Sequence, residues 1–264
     1  MSVILGQRDT EYHANQAVGS SLAKLCLKSM RLYRDHIDGI DAPMDKEHFK
    51  IGRLAHMMVL EPDRFRAQVV TDGPINPKTG AMYGRDTKAF GEWQSAHPDV
   101  TVVEPWLYTM MDRMPGKVRD LFAEPGDSEV SIYQTVNGVQ VKCRPDRLAV
   151  CEALDLKTID DVDNIPRAMR QRGYWFSQEW YKRVMLEEFG EPRKFRFVFV
   201  EKKPPFRWRI TRLSEEACEE GAALVRAVMT AIRSATESGK WDDVGNIETE
   251  ITWPDCGQFD GDES

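Results

Sequence analysis

The stretch Val141-Lys-Cys-Arg-Pro-Asp146-Arg-Leu-Ala-Val-Cys-Glu-Ala-Leu-Asp155-Leu-Lys157-Thr158 decides how this chain is read. Apolar residues alternate through 139–150 and again through 154–159, the period-2 pattern of strands. Successive side chains on a strand point to opposite faces, so Asp155 and Lys157 share one face while Leu156 points into the core. An antiparallel pairing of the two strands as a hairpin brings Asp146 close to Asp155. Two hard carboxylate ligands for Mg²⁺ then stand beside an ammonium that can hold or polarise a water, an arrangement suited to opening a phosphodiester. Taken alone, an acidic hairpin is more often a solvated surface, because Asp and Glu are mostly exposed.

Working outward, Glu129-Val-Ser-Ile-Tyr-Gln-Thr-Val precedes this stretch as a further strand, and Asn137-Gly138 is a strong hairpin turn. The segments 129–136, 139–150 and 153–159 are therefore expected as a three-stranded meander. Upstream, the spacing predicts an amphipathic helix from Ser20 through Tyr33, a second over about 46–60, and helices over 86–96 and 105–122. Residues 72–85, rich in Gly, Pro, Asn and Thr, read as a long mobile loop placed like a flap. Downstream, 164–189 is helical, 195–201 and 206–213 are strands around Pro204-Pro205, and a long helix over 214–239 opens on a Ser214 cap. This order predicts the α/β class, with a mixed central β-sheet flanked by helices.

At 264 residues and 41% hydrophobic content the chain can bury one sizeable core, and 1–241 is expected to be a single domain. Neither an 18-residue apolar run nor a charged segment followed by an apolar one is present, so no membrane span is expected and the reading is a cytoplasmic protein. The five cysteines at 26, 143, 151, 218 and 256 are scattered without a Cys-X-X-Cys pair, which argues against zinc and structural disulfides. Net charge is −7, but residues 242–264 carry eight acidic residues and no Lys or Arg. Setting those eight charges aside takes the remainder from −7 to +1, and Lys and Arg residues from Arg144 to Arg209 fall in and after the Asp146–Lys157 stretch. Those residues are where phosphate contacts are expected, and 242–264 is expected to be a loose acidic tail.

Asp146 followed by Asp155-Leu156-Lys157 resembles the bipartite signature of the PD-(D/E)XK nucleases, which implies a restriction-endonuclease-like core. The segments Cys143-Arg-Pro-Asp146-Arg-Leu148, Gly52-Arg-Leu-Ala-His56, Tyr12-His13 and Gly73-Pro-Ile-Asn-Pro-Lys-Thr-Gly80 narrow the likeness. Together with Gln178-X-X-Tyr181 they resemble the RecE (exonuclease VIII) nuclease domain of phage and prophage recombination systems, over residues 10–240. The resemblance implies a Mg²⁺-dependent exonuclease degrading linear double-stranded DNA from 5′ to 3′. It would leave 3′ single strands for a single-strand annealing protein and work as a ring-shaped homo-oligomer, a trimer or tetramer. Two Mg²⁺ per site are implied, with Mn²⁺ as a substitute. The alternatives are an endonuclease of the same fold, or a nuclease-fold module that binds DNA ends or a partner.

The same resemblance assigns roles. Asp146, Asp155 and the Leu156 carbonyl become metal ligands, and Lys157 orients the attacking water. His56, which its apolar neighbours Leu54, Met57, Met58 and Leu60 would otherwise mark as a core histidine, becomes a further ligand. Glu129 corresponds to an acidic position beside the metals. Gln178 and Tyr181, three apart on a helix and so on one face, are placed next to the metals rather than in an aromatic packing face. Ser21 and Lys24, early in the first helix, are candidates to hold a terminal phosphate, because helix N-termini bind anions. Arg144 and Arg147, flanking Asp146, are candidate DNA contacts.

Overall fold

A computed structural model of the chain describes residues 2–40, 50–114 and 116–241, so the acidic segment 242–264 and residues 46–49 of the second expected helix lie outside the described residues. In chain order the elements are β1 (Val3–Ile4), α1 (Asp9–Ala14), α2 (Ser20–Cys26), α3 (Met30–Ile37), α4 (Lys50–Leu60) and α5 (Pro62–Gln68). β2 (Val69–Val70), α6 (Lys88–Ala96), β3 (Thr101–Val102), α7 (Pro105–Asp112) and α8 (Gly116–Ala123) follow. Next come β4 (Asp127–Ser128), β5 (Ser131–Val136), β6 (Val139–Cys143), β7 (Arg147–Leu148), β8 (Glu152–Ile159) and α9 (Ile165–Gln171). α10 (Tyr174–Phe189), β9 (Lys194–Glu201), β10 (Trp208–Thr211) and α11 (Glu215–Ser238) complete the chain.

The main sheet runs β10-β9-β8-β7-β4, with β8 and β9 parallel and the other pairs antiparallel. It is the mixed sheet that the pattern predicts. Its two central strands are buried on both faces. Ala153 and Ile159 of β8 pack with Phe195, Phe197 and Phe199 of β9 under α10 and α11. Leu154 and Leu156 pack with Val198 and Val200 on the opposite face, against Leu54, Ala55 and Met58 of α4. Period-2 alternation thus sends Asp155 and Lys157 toward α10, and Leu156, fully buried, toward α4.

The expected single meander is split. β5 and β6 form the Asn137-Gly138 hairpin, but they belong to a separate antiparallel sheet, β1-β5-β6, while β7 and β8 belong to the main one. The break falls at Arg144-Pro145-Asp146. Pro145 has no N–H for a ladder and confines its predecessor to extended conformations. The partner strand breaks at the same level, where Glu129 adopts a left-handed φ of 53°. Irregular bonds replace the ladder there: the Glu129 amide donates to the Asp146 carbonyl at 3.2 Å and Arg144 Nε to the Glu129 carbonyl at 3.1 Å.

Three expected helices are also divided. Ser29 accepts from the Leu32 amide and starts α3 as a new helix rather than continuing α2, because a serine hydroxyl satisfies an orphan N–H of a first turn. The 105–122 helix becomes α7 and α8, with the sequence Met114-Pro115 between them. The 164–189 helix divides at Gly173, whose φ of 61° is a left-handed conformation open to glycine. Residues 72–85 form the expected connection, closed by an Ile75–Met82 bridge and a bond from the Asn76 amide to the Ala81 carbonyl. The Ser214 cap on α11 is present, accepting from the Ala217 amide. Among the described residues no helix is long and apolar enough to cross a membrane.

Candidate active site

The break between the two sheets is where the acidic residues gather. β7 pairs with β8 as Arg147↔Leu154 and Leu148↔Ala153, so the next step of the register sets Asp146 opposite Asp155. Asp146 is buried and accepts a short hydrogen bond from the Leu156 amide. That amide holds the carboxylate from the strand carrying Asp155 and Lys157. On its other side, His56 Nδ1 of α4 stands 3.6 Å from Asp146 Oδ1. Gly52 of α4 lies against Thr158 of β8, where an added Cβ would be in ordinary contact with Thr158 Oγ1 at 3.4 Å. Glu129 closes the group: ligand atoms of His56, Glu129 and Asp146 all lie within 4.8 Å of one another.

One turn of the pleat away, Asp155 is buried and ion-paired with Lys157, whose ammonium also lies 5.6 Å from the centre of the Tyr174 ring on α10. Burial pushes Asp155 up to about 6, with Lys157 pulling it down and Asp146 pushing it up. Burial likewise pushes Glu129 up to about 7, Asp146 adding to the rise and Arg144 opposing it. For Asp146 burial works in the same direction, but His56, Lys157 and the Leu156 amide outweigh it and hold the carboxyl below its usual range. Burial opposes the charge on His56 as well, yet Asp146 raises its pKa overall. Three carboxylates, two of them buried and Glu129 half-buried, face Lys157, His56 and Arg144, and two of the three resist ionisation. Such a group fits a divalent cation, which supplies the missing positive charge to oxygen and imidazole donors.

The other expected site residues fall into two groups. Tyr181 lies with the site: burial raises its hydroxyl well above the usual value, and Asp155, Tyr12 and Asp146 add to the rise. Lys24 does too, since its pKa is pushed down to about 8 by burial and by Lys157, while its ammonium donates to the Arg172 carbonyl at 3.0 Å. Ser21, on the turn before, is exposed. Gln178 turns toward α11: its amide nitrogen donates to Glu179 at 2.9 Å and Cys218 Sγ at 3.3 Å, and its oxygen is buried without a partner. Arg147 donates to Ser128 Oγ at 3.2 Å. Arg144 is nearly enclosed and tied to Glu129, Asp9 and the Gln7 carbonyl. Two members of the expected basic run, Arg207 and Arg209, are paired with Asp161, Asp163 and Glu201, so they add little net positive potential. Tyr174 beside Lys157 was not foreseen, because it carries no signal separable from a packing aromatic; Tyr12-His13 of α1 was singled out by the resemblance, but no role beside Glu129 was assigned to it.

The shifted carboxyls make a pH dependence. Both folded pKa values lie above those of free carboxylates, so between about 4.5 and 7 the folded chain holds protons that the unfolded chain has released. The metal-free protein is therefore expected to lose stability as pH rises through that window. A metal must displace the same protons, so apparent Mn²⁺ affinity is expected to rise severalfold between pH 6 and pH 8. Calorimetric titration at both values, with proton release read from buffers of different ionisation enthalpy, checks this. A pH-independent affinity would contradict it.

No curated protein matches the sequence. Among solved structures, the crystal structure of a protein from Eubacterium rectale described as a "putative exonuclease" superposes with a TM-score of 0.64 at 11% sequence identity, covering 96% of this chain and 98% of that one. At that identity the likeness shows the fold. The family model for the PDDEXK-like domain of unknown function DUF3799 matches residues 19–251, which include the whole main sheet and every member of the acidic cluster. With a mixed sheet, a split hairpin carrying Asp146, Asp155 and Lys157, and this match over most of its length, the chain belongs to that PDDEXK-like family.

Proposed function

We propose that the protein is a divalent-metal-dependent nuclease of the RecE type, acting as an exonuclease on linear double-stranded DNA from 5′ to 3′. It leaves 3′ single strands for a single-strand annealing protein in a recombination system. The observation that carries the reading is the cluster of half-buried His56 and Glu129 with buried Asp146, beside the Asp155–Lys157 pair. His56, Glu129, Asp146 and Asp155 would hold Mg²⁺, or Mn²⁺ in its place, and two ions per site follow from the resemblance. A metal bound there supplies Lewis-acid stabilisation of the phosphate and a water acidic enough to attack at neutral pH. Lys157, held by Asp155 and beside the Tyr174 ring, would offer its ammonium to the charge that develops on a scissile phosphate. Lys24, whose ammonium donates to the Arg172 carbonyl, is suited to a neighbouring phosphate. A closed homo-oligomeric ring, trimeric or tetrameric, would keep the enzyme on its strand by confinement.

Digestion of linear and closed circular duplex, labelled at the 5′ or the 3′ end, with and without Mg²⁺, tests enzyme status, end dependence and polarity together. The expected result is Mg²⁺-dependent loss of linear DNA, with 5′ label released first and circles left intact. Cleavage of circles would favour an endonuclease of the same fold, and binding without cleavage a DNA-end module.

A further inference from the structure

Arg144 lies next to the acidic cluster, and its surroundings are those of an internal brace. Lys142 and Arg144 are two apart along the chain where β6 ends, and both reach the same overlying segment, residues 7–15. Lys142 Nζ donates to the Tyr12 and Asn15 carbonyls at 2.7 Å each, which closes the C-terminal end of α1. The Tyr12 ring lies over both cations, 4.7 Å from Lys142 Nζ and 5.3 Å from the Arg144 guanidinium. The guanidinium then reaches both ways. Its two terminal nitrogens donate to Asp9 Oδ1 at 2.7 Å and the Gln7 carbonyl at 2.8 Å, while Nε faces Glu129 Oε2 at 2.8 Å and the Glu129 carbonyl at 3.1 Å. Only 9% of the side chain is exposed.

Resting on the metal-dependent reading above, we infer that Arg144 is a positioning residue for Glu129, and that through it the segment Gln7–Asn15 forms part of the frame of the metal site. Glu129 sits in a left-handed conformation that a side-chain-bearing residue holds only when its surroundings over-determine it. Arg144 grips both the backbone and the carboxylate of that residue. The planar fork meets four acceptors at once, and a lysine ammonium cannot span them. Removing the fork frees Glu129 to leave the position that puts its oxygen within reach of His56 and Asp146. Outer contacts of this kind are commonly worth about ten- to a hundredfold in metal affinity.

The test is Mn²⁺ titration of the full-length protein by calorimetry, without DNA, for the wild type, Arg144→Lys, Arg144→Gln and Asp9→Asn. Both Arg144 variants are expected to bind Mn²⁺ at least about tenfold more weakly. Arg144→Lys should be no better than Arg144→Gln despite its charge, and Asp9→Asn, changed at an exposed partner, should lose only a fewfold. If Arg144→Gln fails to fold by circular dichroism, Arg144→Lys and Asp9→Asn carry the test. Folded variants with wild-type Mn²⁺ affinity would overturn the inference. So would normal Mn²⁺ affinity combined with weaker binding of duplex in EDTA, which would make Arg144 a phosphate contact. A wild type that takes no Mn²⁺ would remove the metal reading itself.

Discussion

Asp146→Asn is expected to abolish Mg²⁺-dependent DNA hydrolysis, with a loss on the order of a thousandfold or more, while the fold persists. Asp146 is the meeting point of the site: it accepts from the Leu156 amide on β8, faces His56 on α4, and shares its ligand distance with Glu129. Asparagine keeps an oxygen for the Leu156 amide, so the strand bond survives, but it removes the charge that a divalent cation needs. Burial is the main cause of the raised Glu129 and Asp155, and the same change should remove the part that Asp146 adds, lowering both. Thermal unfolding with and without Mn²⁺ separates the two effects. Loss of metal-induced stabilisation with a retained metal-free transition is the expected pattern, and hydrolysis within tenfold of wild type would sink the assignment of Asp146.

Lys157→Ala is expected to lower turnover by about 10²- to 10³-fold. It should also weaken the fold at neutral pH, by about 3 kcal/mol if the pair behaves as a typical buried one. A solvated hairpin face would predict a catalytic loss without a folding cost, but the structure places Asp155 in the interior, 4% exposed, with Lys157 as its ion-pair partner. Truncating the lysine strands a carboxylate beside Asp146. Since Asp155 already sits at about 6, it rises further in the variant, and protonation then removes the unpaired charge. The stability deficit should therefore shrink as pH falls below 6 and grow as pH rises above it. Chemical denaturation of wild type and variant at pH 5 and pH 8 reads this directly; an equal deficit at the two values would show that Asp155 does not depend on Lys157.

The strand signature was legible because it depends on local chemistry. Alternation in 153–159 put Asp155 and Lys157 on one face and Leu156 in the core, and the β7–β8 register sets Asp146 against Asp155 by the same geometry. The Asn137-Gly138 turn and the Ser214 cap were equally local. The helix divisions at Ser29 and Gly173 were written in the sequence too, but a cap or a left-handed glycine inside a periodic run competes with the helix on nearly equal terms, and packing settles the outcome.

What the sequence by itself determined, then, is the α/β order of elements and the strand that carries Asp155 and Lys157. Tertiary structure alone decided that the meander divides between two sheets at Pro145 and that Asp155 is buried rather than solvated, and it brings His56 and Glu129 to Asp146, a meeting that only the family resemblance had implied. It also decided that Gln178 faces α11 and that Arg144 turns inward to Glu129 and Asp9. The physical reason is range. Periodicity states which face a side chain takes on its own element, whereas burial, pKa shifts and the partners of a charge depend on elements far away in the chain, such as α1, α4 and α10, that fold over that face.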